Sequence, residues 1–327
     1  MPSGRLLRQL IKSGAEGNVD SFKELSQQVI AEERQKQHHL LANDLERILY
    51  GQYRAGQLQV VPKGAPTDRE SGVPLLSSRA PARGLSDVVL ADETKSLLET
   101  ILLEHNRSDV LTSYGLKAVN KLLFYGPPGC GKTLTAEVIA CELDRLFVVL
   151  RLDAVVSSYL GETATNLRKV FDFVTAQPLV VLFDEFDAIG RERAAIDDHG
   201  ELKRVVNAVL QMLDDYQGRS ILIAATNHEA TLDYAIWRRF DEIMFFGQPA
   251  TQQIAEFLEA KLRGVRRQFE ADDPALIRTL VGTTYADIER IVRRAIKEMV
   301  LANAEFLSKT SLLRAIKKEK QRRALLK

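Results

Sequence analysis

The sequence predicts an α/β protein: a parallel sheet covered by helices, followed by an all-helical domain and preceded by a helical N-terminal extension. Three observations carry this. Short apolar runs alternate with helical patterns between residues 85 and 248, the signature of strands joined by crossover helices. The strand-like runs stop after Pro249, and only helical periodicity follows. Within the alternating region, the apolar run Leu122–Tyr125 passes through a glycine-rich loop straight into a helical pattern carrying Leu134, Val138, Ile139 and Leu143.

The elements follow in order. Residues 1–50 read as a helical N-terminal module. Leu6, Leu7, Leu10 and Ile11 form one stripe, and Asp20 is placed to cap a second helix carrying Phe22, Leu25, Val29 and Ile30. Leu40, Leu41, Leu45, Ile48 and Leu49 form a third. Such a module serves either to pack onto the next domain or to bind a substrate or adaptor. His38-His39 reads as a solvated helix face, because no third ligand lies nearby in sequence. Residues 51–84 contain Pro62, Pro66, Pro74 and Pro81 and read as a linker, with a short strand at Leu58–Val61.

Residues 85–248 form the α/β domain. After Ser86–Leu90 a helical stretch runs to about His105. Strands are expected at Leu122–Tyr125, Phe147–Leu152, Val180–Phe183, Ile221–Ala225 and Glu242–Phe246, with helices over 132–143, 163–176 and 201–214. Residues 249–327 form the helical domain, with helices over 251–262, 274–281, 285–303 and 310–326.

Composition bounds the function. The chain has 327 residues, of which 45% are hydrophobic and 27% charged, as in ordinary soluble domains. A net charge of +1 leaves no global footprint for nucleic acid or an acidic membrane. The basic tail Arg314–Lys327 reads first as a solvated face with Leu312, Leu313 and Ile316 turned inward. Cys130 and Cys141 show no metal-type spacing, and such sparse cysteine suits a reducing compartment. The start of the chain lacks a signal-peptide core, and Leu146–Leu150 and Leu179–Phe183 are too short to span a bilayer, so a cytoplasmic location without membrane contact is expected.

The chemistry-bearing residues cluster around the loop Gly126-Pro127-Pro128-Gly129-Cys130-Gly131-Lys132-Thr133, a full match to G-x-x-x-x-G-K-[ST]. Its glycines allow backbone N–H groups to face phosphate oxygens, and the following helix adds its positive end. Lys132 is placed to reach the β- and γ-phosphates, and the Thr133 hydroxyl to sit on Mg²⁺. Val180–Phe183 runs into Asp184, placed to hold Mg²⁺ through water, and Glu185, the candidate general base. Asn227 ends another strand and is either a turn residue or a second group on the same water. Arg238 and Arg239 are either surface charges or arginine fingers entering a neighbouring subunit's site. His228-Glu229 opens like a zinc-protease motif but lacks the second histidine, so a fused metalloprotease is excluded.

Taken together, these residues resemble the AAA+ ATPases, in particular the AAA group with a second region of homology, over about residues 85–327. Gly126–Thr133 is similar to Walker A, continued by Leu134, and Val180–Glu185 to Walker B. Asn227 matches sensor 1, Arg238 and Arg239 the arginine-finger region, and Thr283–Ile288, with Ala286, the start of sensor 2. Asp187–Arg191 and His199–Asn207 resemble the approach to the intersubunit face. Ser86-Asp87-Val88 resembles the segment whose backbone reads adenine. Ser157–Glu162 resembles the first pore loop, with Tyr159 and Leu160 as the gripping pair.

Two departures stand out. The arginine segment lacks a Pro-Gly insertion, as in the microtubule-severing and ESCRT-disassembling branch, and sensor 2 has no arginine. The resemblance implies a P-loop parallel-sheet ATPase core with an all-α lid, assembling as a hexameric ring. It further implies an enzyme that uses ATP and Mg²⁺ to remodel or unfold a protein substrate, serving a separately encoded protease or adaptor. An ATP-gated scaffold and a DNA-directed AAA+ ATPase are the alternatives.

Overall fold

A computed structural model describes residues 4–15, 19–35, 64–68, 72–151, 160–186, 200–228, 232 and 234–325. By its internal contacts the chain divides into two units. One comprises Gln59–Phe257 and Ile277–Glu289; the other holds the N-terminal helices with Leu258–Leu276 and Arg290–Lys327.

The first unit is built on six strands: β1 (Leu76–Arg79), β2 (Lys121–Tyr125), β3 (Leu146–Leu150), β4 (Leu179–Phe183), β5 (Ile221–Thr226) and β6 (Glu242–Phe245). Their spatial order is β1-β3-β4-β5-β2-β6, and all neighbours are parallel except β1 and β3. The predicted α/β fold is therefore the one observed, with each strand expected between residues 85 and 248 present to within two residues.

The central strands are apolar through their middles because both faces are covered. Alternation decides which face each residue serves. Leu123, Val181, Phe183, Leu222 and Ala224 join one core with Leu167, Val170 and Leu213. Leu122, Phe124, Val180, Leu182, Ile223 and Ala225 join the other with Leu98, Ile101 and Ile139. The first core is covered by α6 (Leu160–Thr175) and α7 (Gly200–Asp215), the second by α3 (Asp92–Asn106) and α5 (Lys132–Glu142). Two short helices, α4 (Ser108–Ser113) and α8 (Tyr234–Trp237), escape periodicity analysis because each holds fewer than two turns.

The stretch read as a linker contributes β1. Thr67 and Pro74 form an isolated bridge, Leu75 N donates to Pro66 O at 2.9 Å, and β1 then pairs antiparallel with β3. Asp68 accepts a bond of 2.9 Å from Asn166 Nδ2 on α6, and both side chains are buried. Proline content flagged the breaks here, but a four-residue strand carries too little alternation to be read. The strand expected at Leu58–Val61 lies outside the described residues.

In the second unit α1 (Gly4–Ala15) and α2 (Val19–Gln35) pack together. Because α2 begins at Val19, Asp20 stands in its first turn and not at the cap. The third N-terminal helix, with His38 and His39, falls outside the described residues. The C-terminal part holds α9 (Thr251–Leu262), α10 (Pro274–Leu280), α11 (Tyr285–Leu301) and α12 (Lys309–Leu325); α9 and α11 begin in the first unit, and α10 ends there. Its core includes Leu262, Leu276, Ile291, Ala295, Leu307, Leu312 and Ile316. Glu319 is buried on α12 and ion-paired with Arg290 at 2.5 Å and Arg322 at 3.3 Å. Among the described residues, no helix is long and apolar enough to cross a membrane.

The approach to β2 is pinned by α3. His105 Nε2 donates to Val119 O at 2.7 Å, while Arg145 donates to His105 Nδ1 at 3.3 Å, and Glu104 accepts Val119 N at 3.0 Å. This pattern requires a neutral imidazole. Burial first, and the Arg145 charge second, hold its pKa below the ordinary 6.5, against the raising effects of the Val119 bond and Glu104. The folded state therefore takes up this proton less readily than the unfolded chain. The associated stability is complete above about pH 6.5 and is lost as pH falls through and below it. Urea midpoints measured from pH 7.5 to 5.5 are expected to fall in the wild type and to fall less in His105→Gln.

Candidate functional site

The strand ends assemble the site. Register sets Tyr125 opposite Thr226 and Phe183 opposite Ala224, so Gly126 leaves β2 level with Asn227, and Asp184 leaves β4 level with Ala225. β5 lies between β2 and β4, so Asp184 and Glu185 stand two strand spacings, roughly 10 Å, from the axis of β2. That gap leaves room for a polyanion between the loop and the carboxylates.

The loop Gly126–Gly131 is shaped by left-handed backbone at Gly126 (φ +132°), Gly129 (φ +77°) and Gly131 (φ +101°). At Gly126 a Cβ would stand 2.3 Å from Phe246 O, so only glycine fits against the end of β6. Gly131 is the N-cap of α5, whose positive end faces the loop. Lys132 is only 6% exposed, and its Nζ donates to Gly126 O at 2.6 Å and Pro127 O at 3.0 Å. The ammonium thus lies over its own loop, held by carbonyls that an anion would replace. Pro127 is half-buried, Pro128 is exposed and Leu134 is half-buried on α5.

Thr133 Oγ1 donates to Asp184 Oδ2 at 3.2 Å, and Asp184 Oδ1 accepts Glu185 N at 2.9 Å. A hydroxyl and a carboxylate at this separation, beside a phosphate cradle, suit a hard cation such as Mg²⁺ that keeps part of its water shell. No group of three or more ligating side chains exists among the described residues, so such a cation would depend on phosphate oxygens for the rest of its shell. Glu185 is exposed and adopts φ +51°, a left-handed conformation costing a non-glycine residue about 1 kcal/mol. Its neighbours fix it there: Phe186 N donates to Ala225 O at 2.9 Å, and Phe186 is buried against Phe183 and Phe240. Asn227 is half-buried at the end of β5, where His228 N closes a turn onto Thr226 Oγ1 at 3.0 Å.

The two arginines behave differently. Both lie where the chain descends from the loop edge of the sheet to the opposite edge, where Asp241 accepts Asn120 N and Lys121 N at 3.2 and 2.9 Å. Arg239 is held within its own chain, donating from Nε to Asp214 at 3.3 Å and from Nη1 to Ala235 O at 2.6 Å. Arg238 is exposed, its guanidinium 5.8 Å from the Tyr234 ring centroid. Tyr159 lies outside the described residues. Leu160 opens α6, and its side chain is likewise outside them, as are Asp187–Arg191.

The loop also borders a cavity of about 440 Å³. Its walls include Val89, Leu90, Leu97, Tyr125, Cys130, Phe245 and Tyr285, with Thr94, Gln248 and Gln253 as polar groups. Asp87 and Val88, expected here from sequence, do not line it. Asp87 ends a short 3₁₀ turn and accepts Gly84 N at 2.9 Å, while Val88 borders a separate depression with Leu85, Lys95 and Glu99. Burial, then the charge of Asp287, push the Cys130 thiol up, against the lowering effect of Lys132, so it remains a neutral wall.

Ala286 also meets the loop. Ala286 N donates to Gly129 O at 3.1 Å, and a Cβ on Gly129 would stand 3.0 Å from Ala286 Cβ and Thr284 Oγ1. The start of α11 is held by a reciprocal cap in which Asp287 N donates to Thr284 Oγ1 and Thr284 N to Asp287 Oδ2, at 3.3 and 3.4 Å. Sequence reasoning missed Val89, Leu90, Phe245, Gln248 and Tyr285. Only strand order, which sets β6 beside β2, reveals that residues past β6 stand next to the loop.

Comparison with known proteins adds two findings. Residues 122–248 match the family described as "ATPase family associated with various cellular activities (AAA)". The whole chain is similar to an uncharacterized AAA family ATPase, y4kL, of Sinorhizobium fredii (strain NBRC 101917 / NGR234), 40% identical over 99% of this chain and 97% of that protein. It is also similar to the 26S proteasome regulatory subunit S10B homolog B of Arabidopsis thaliana, 30% identical over 70% of this chain and 59% of that one, so it spans less than two thirds of that relative.

Two contrasts in stability follow from the packing. Gly126→Ala should cost about 2–4 kcal/mol in urea unfolding, combining a backbone clash with a disfavoured φ, whereas Gly131→Ala, with open space at its Cβ, should cost only ~1 kcal/mol. Arg239→Ala should cost about 1 kcal/mol through its lost chain-internal bonds, while Arg238→Ala leaves the midpoint unchanged.

Proposed function

Since the chain belongs to the AAA family of ATPases, we propose that it is a ring-forming, Mg²⁺-dependent ATPase that uses hydrolysis to remodel or unfold a protein substrate. The observation that carries the reading is the juxtaposition of Lys132 over its loop carbonyls with the Thr133–Asp184 pair on one edge of the sheet. ATP enters with its phosphates in the loop and its base in the adjoining cavity. Lys132 exchanges Gly126 O and Pro127 O for phosphate oxygens, and the backbone N–H groups of the loop orient the chain of phosphates. Thr133 and Asp184 hold Mg²⁺, which when bound offsets phosphate charge. Glu185, aimed off the strand axis by its left-handed backbone, accepts the proton of the attacking water at its carboxylate. Asn227, one strand away, orients that water.

Arg238 is the better candidate to act in trans, because its guanidinium is exposed while Arg239 is bound to Asp214 and Ala235. Arg239 then positions the segment. The helix Tyr234–Trp237 passes directly into Arg238 and Arg239 without a Pro-Gly insertion, which supports the finer likeness to the severing and ESCRT-disassembling branch. A protein substrate and oligomeric assembly are supported by the names of the relatives, which include proteasome regulatory subunits. Tyr159 and Leu160 are assigned the grip on that substrate, and a separate protease or adaptor the role of partner, with the cytoplasm as the place of action.

Hydrolysis and assembly are tested together. Lys132→Ala should lose ATP binding, and Glu185→Gln should bind ATP but turn it over very slowly. Arg238→Ala should cost on the order of 10³-fold in turnover, and activity per chain should rise with protein concentration. Mixing inactive Arg238→Ala with inactive Lys132→Ala chains should restore part of the activity, since intact arginines then face intact loops. No recovery, with a rate independent of concentration, would contradict action in trans. In parallel, an unfolded polypeptide should stimulate the wild-type ATPase, and Tyr159→Ala should hydrolyse ATP without unfolding a tagged substrate.

A further inference from the structure

We propose that Tyr285 is the side chain that makes this site select a nucleotide over a bare polyphosphate, its ring forming the contact surface for the purine base. The inference rests on the reading of the cavity beside the phosphate loop as the base subsite, and it names the group that gives that subsite its selectivity.

Two observations point to Tyr285. The first is position. Cys130, a residue of the phosphate loop, and Tyr285 line the same cavity, so a base joined to phosphates in the loop lies within reach of the tyrosine. The second is rigidity. Tyr285 is the first residue of α11, set between the two halves of the Thr284–Asp287 cap and directly before Ala286, whose N–H is bonded to Gly129 O. Its ring is braced by Phe257 at 5.1 Å and 70°. A side chain fixed to the loop by a single residue's offset contributes contact area without losing rotamer freedom on binding.

The chemistry favours the ring over the hydroxyl. Burial, then the charges of Cys130 and Glu256, push the Tyr285 phenol well above its usual range, so it stays neutral. A neutral, braced aromatic in a cavity that Val89 and Leu90 also line suits a flat heteroaromatic ring, which gains stacking and dispersion on apolar walls. Inorganic polyphosphate makes none of these contacts.

The test is calorimetric titration of the full chain, in Mg²⁺, with ATP and with inorganic tripolyphosphate. Wild type should bind ATP more tightly than tripolyphosphate. Tyr285→Ala should weaken ATP roughly 5- to 100-fold, the range for removing an aromatic platform under a base, while tripolyphosphate affinity holds within about two-fold. Tyr285→Leu, which keeps apolar bulk for folding, should lose the same selectivity, and Tyr285→Phe should retain it. Equal losses for both ligands, or unchanged selectivity in Tyr285→Leu, would overturn the proposal, as would Tyr285→Phe behaving like alanine. Wild type binding neither ligand would instead sink the reading of the loop as a nucleotide site.

Discussion

The position of β2 between β5 and β6 governs everything around the phosphate loop. A buried strand has two neighbours, and their registers decide which groups surround whatever follows it. Here β5 brings Asn227 level with Gly126, and β6 brings Phe246 O so close to Gly126 that no side chain fits. β4, one strand further out, brings Asp184 and Glu185. None of these side chains adjoins the loop in sequence. Hydrogen-bond registers across the sheet set their spacing, and two apolar cores hold the sheet rigid enough for that spacing to persist.

Within this frame the site stores its strain locally. Glu185 in a left-handed conformation is costly, and Phe186, buried against Phe183 and Phe240, prevents its relaxation. Lys132 is similarly committed, folded over two carbonyls of its own loop and almost excluded from solvent. An ammonium held this way has its charge met by carbonyl dipoles, which any incoming anion must displace.

Much of this was legible in the sequence, and the reasons are physical. A strand buried on both faces must be apolar at every position, so Leu122–Phe124, Val180–Phe183 and Ile221–Ala225 declare themselves, and the polar residues after them mark the strand ends. Long amphipathic helices are equally readable. What sequence hides is set by contacts across the sheet. Tyr285 looks like an ordinary first residue of a helix until α11 is seen to start against Gly129. The difference between Arg238 and Arg239 is invisible until Asp214 is found at the end of α7. β1 eludes periodicity because four residues cannot show a period, and Asp87 and Val88 fall short of the cavity that Val89 and Leu90 line.

The antiparallel pairing of β1 bears on how copies of the chain meet. A parallel sheet ending at β3 would offer an open row of amide and carbonyl groups, a template onto which any extended segment can crystallise strand by strand. β1 occupies that row, and the buried Asp68–Asn166 bond nails its hairpin to α6 so that it does not peel away. At the far side, Thr94 donates to Phe245 O, the last carbonyl of β6. The open edge passes to β1, whose four residues offer too short a ladder to template a long strand. Any copy that met this edge would therefore be recognised by its side chains more than by its backbone.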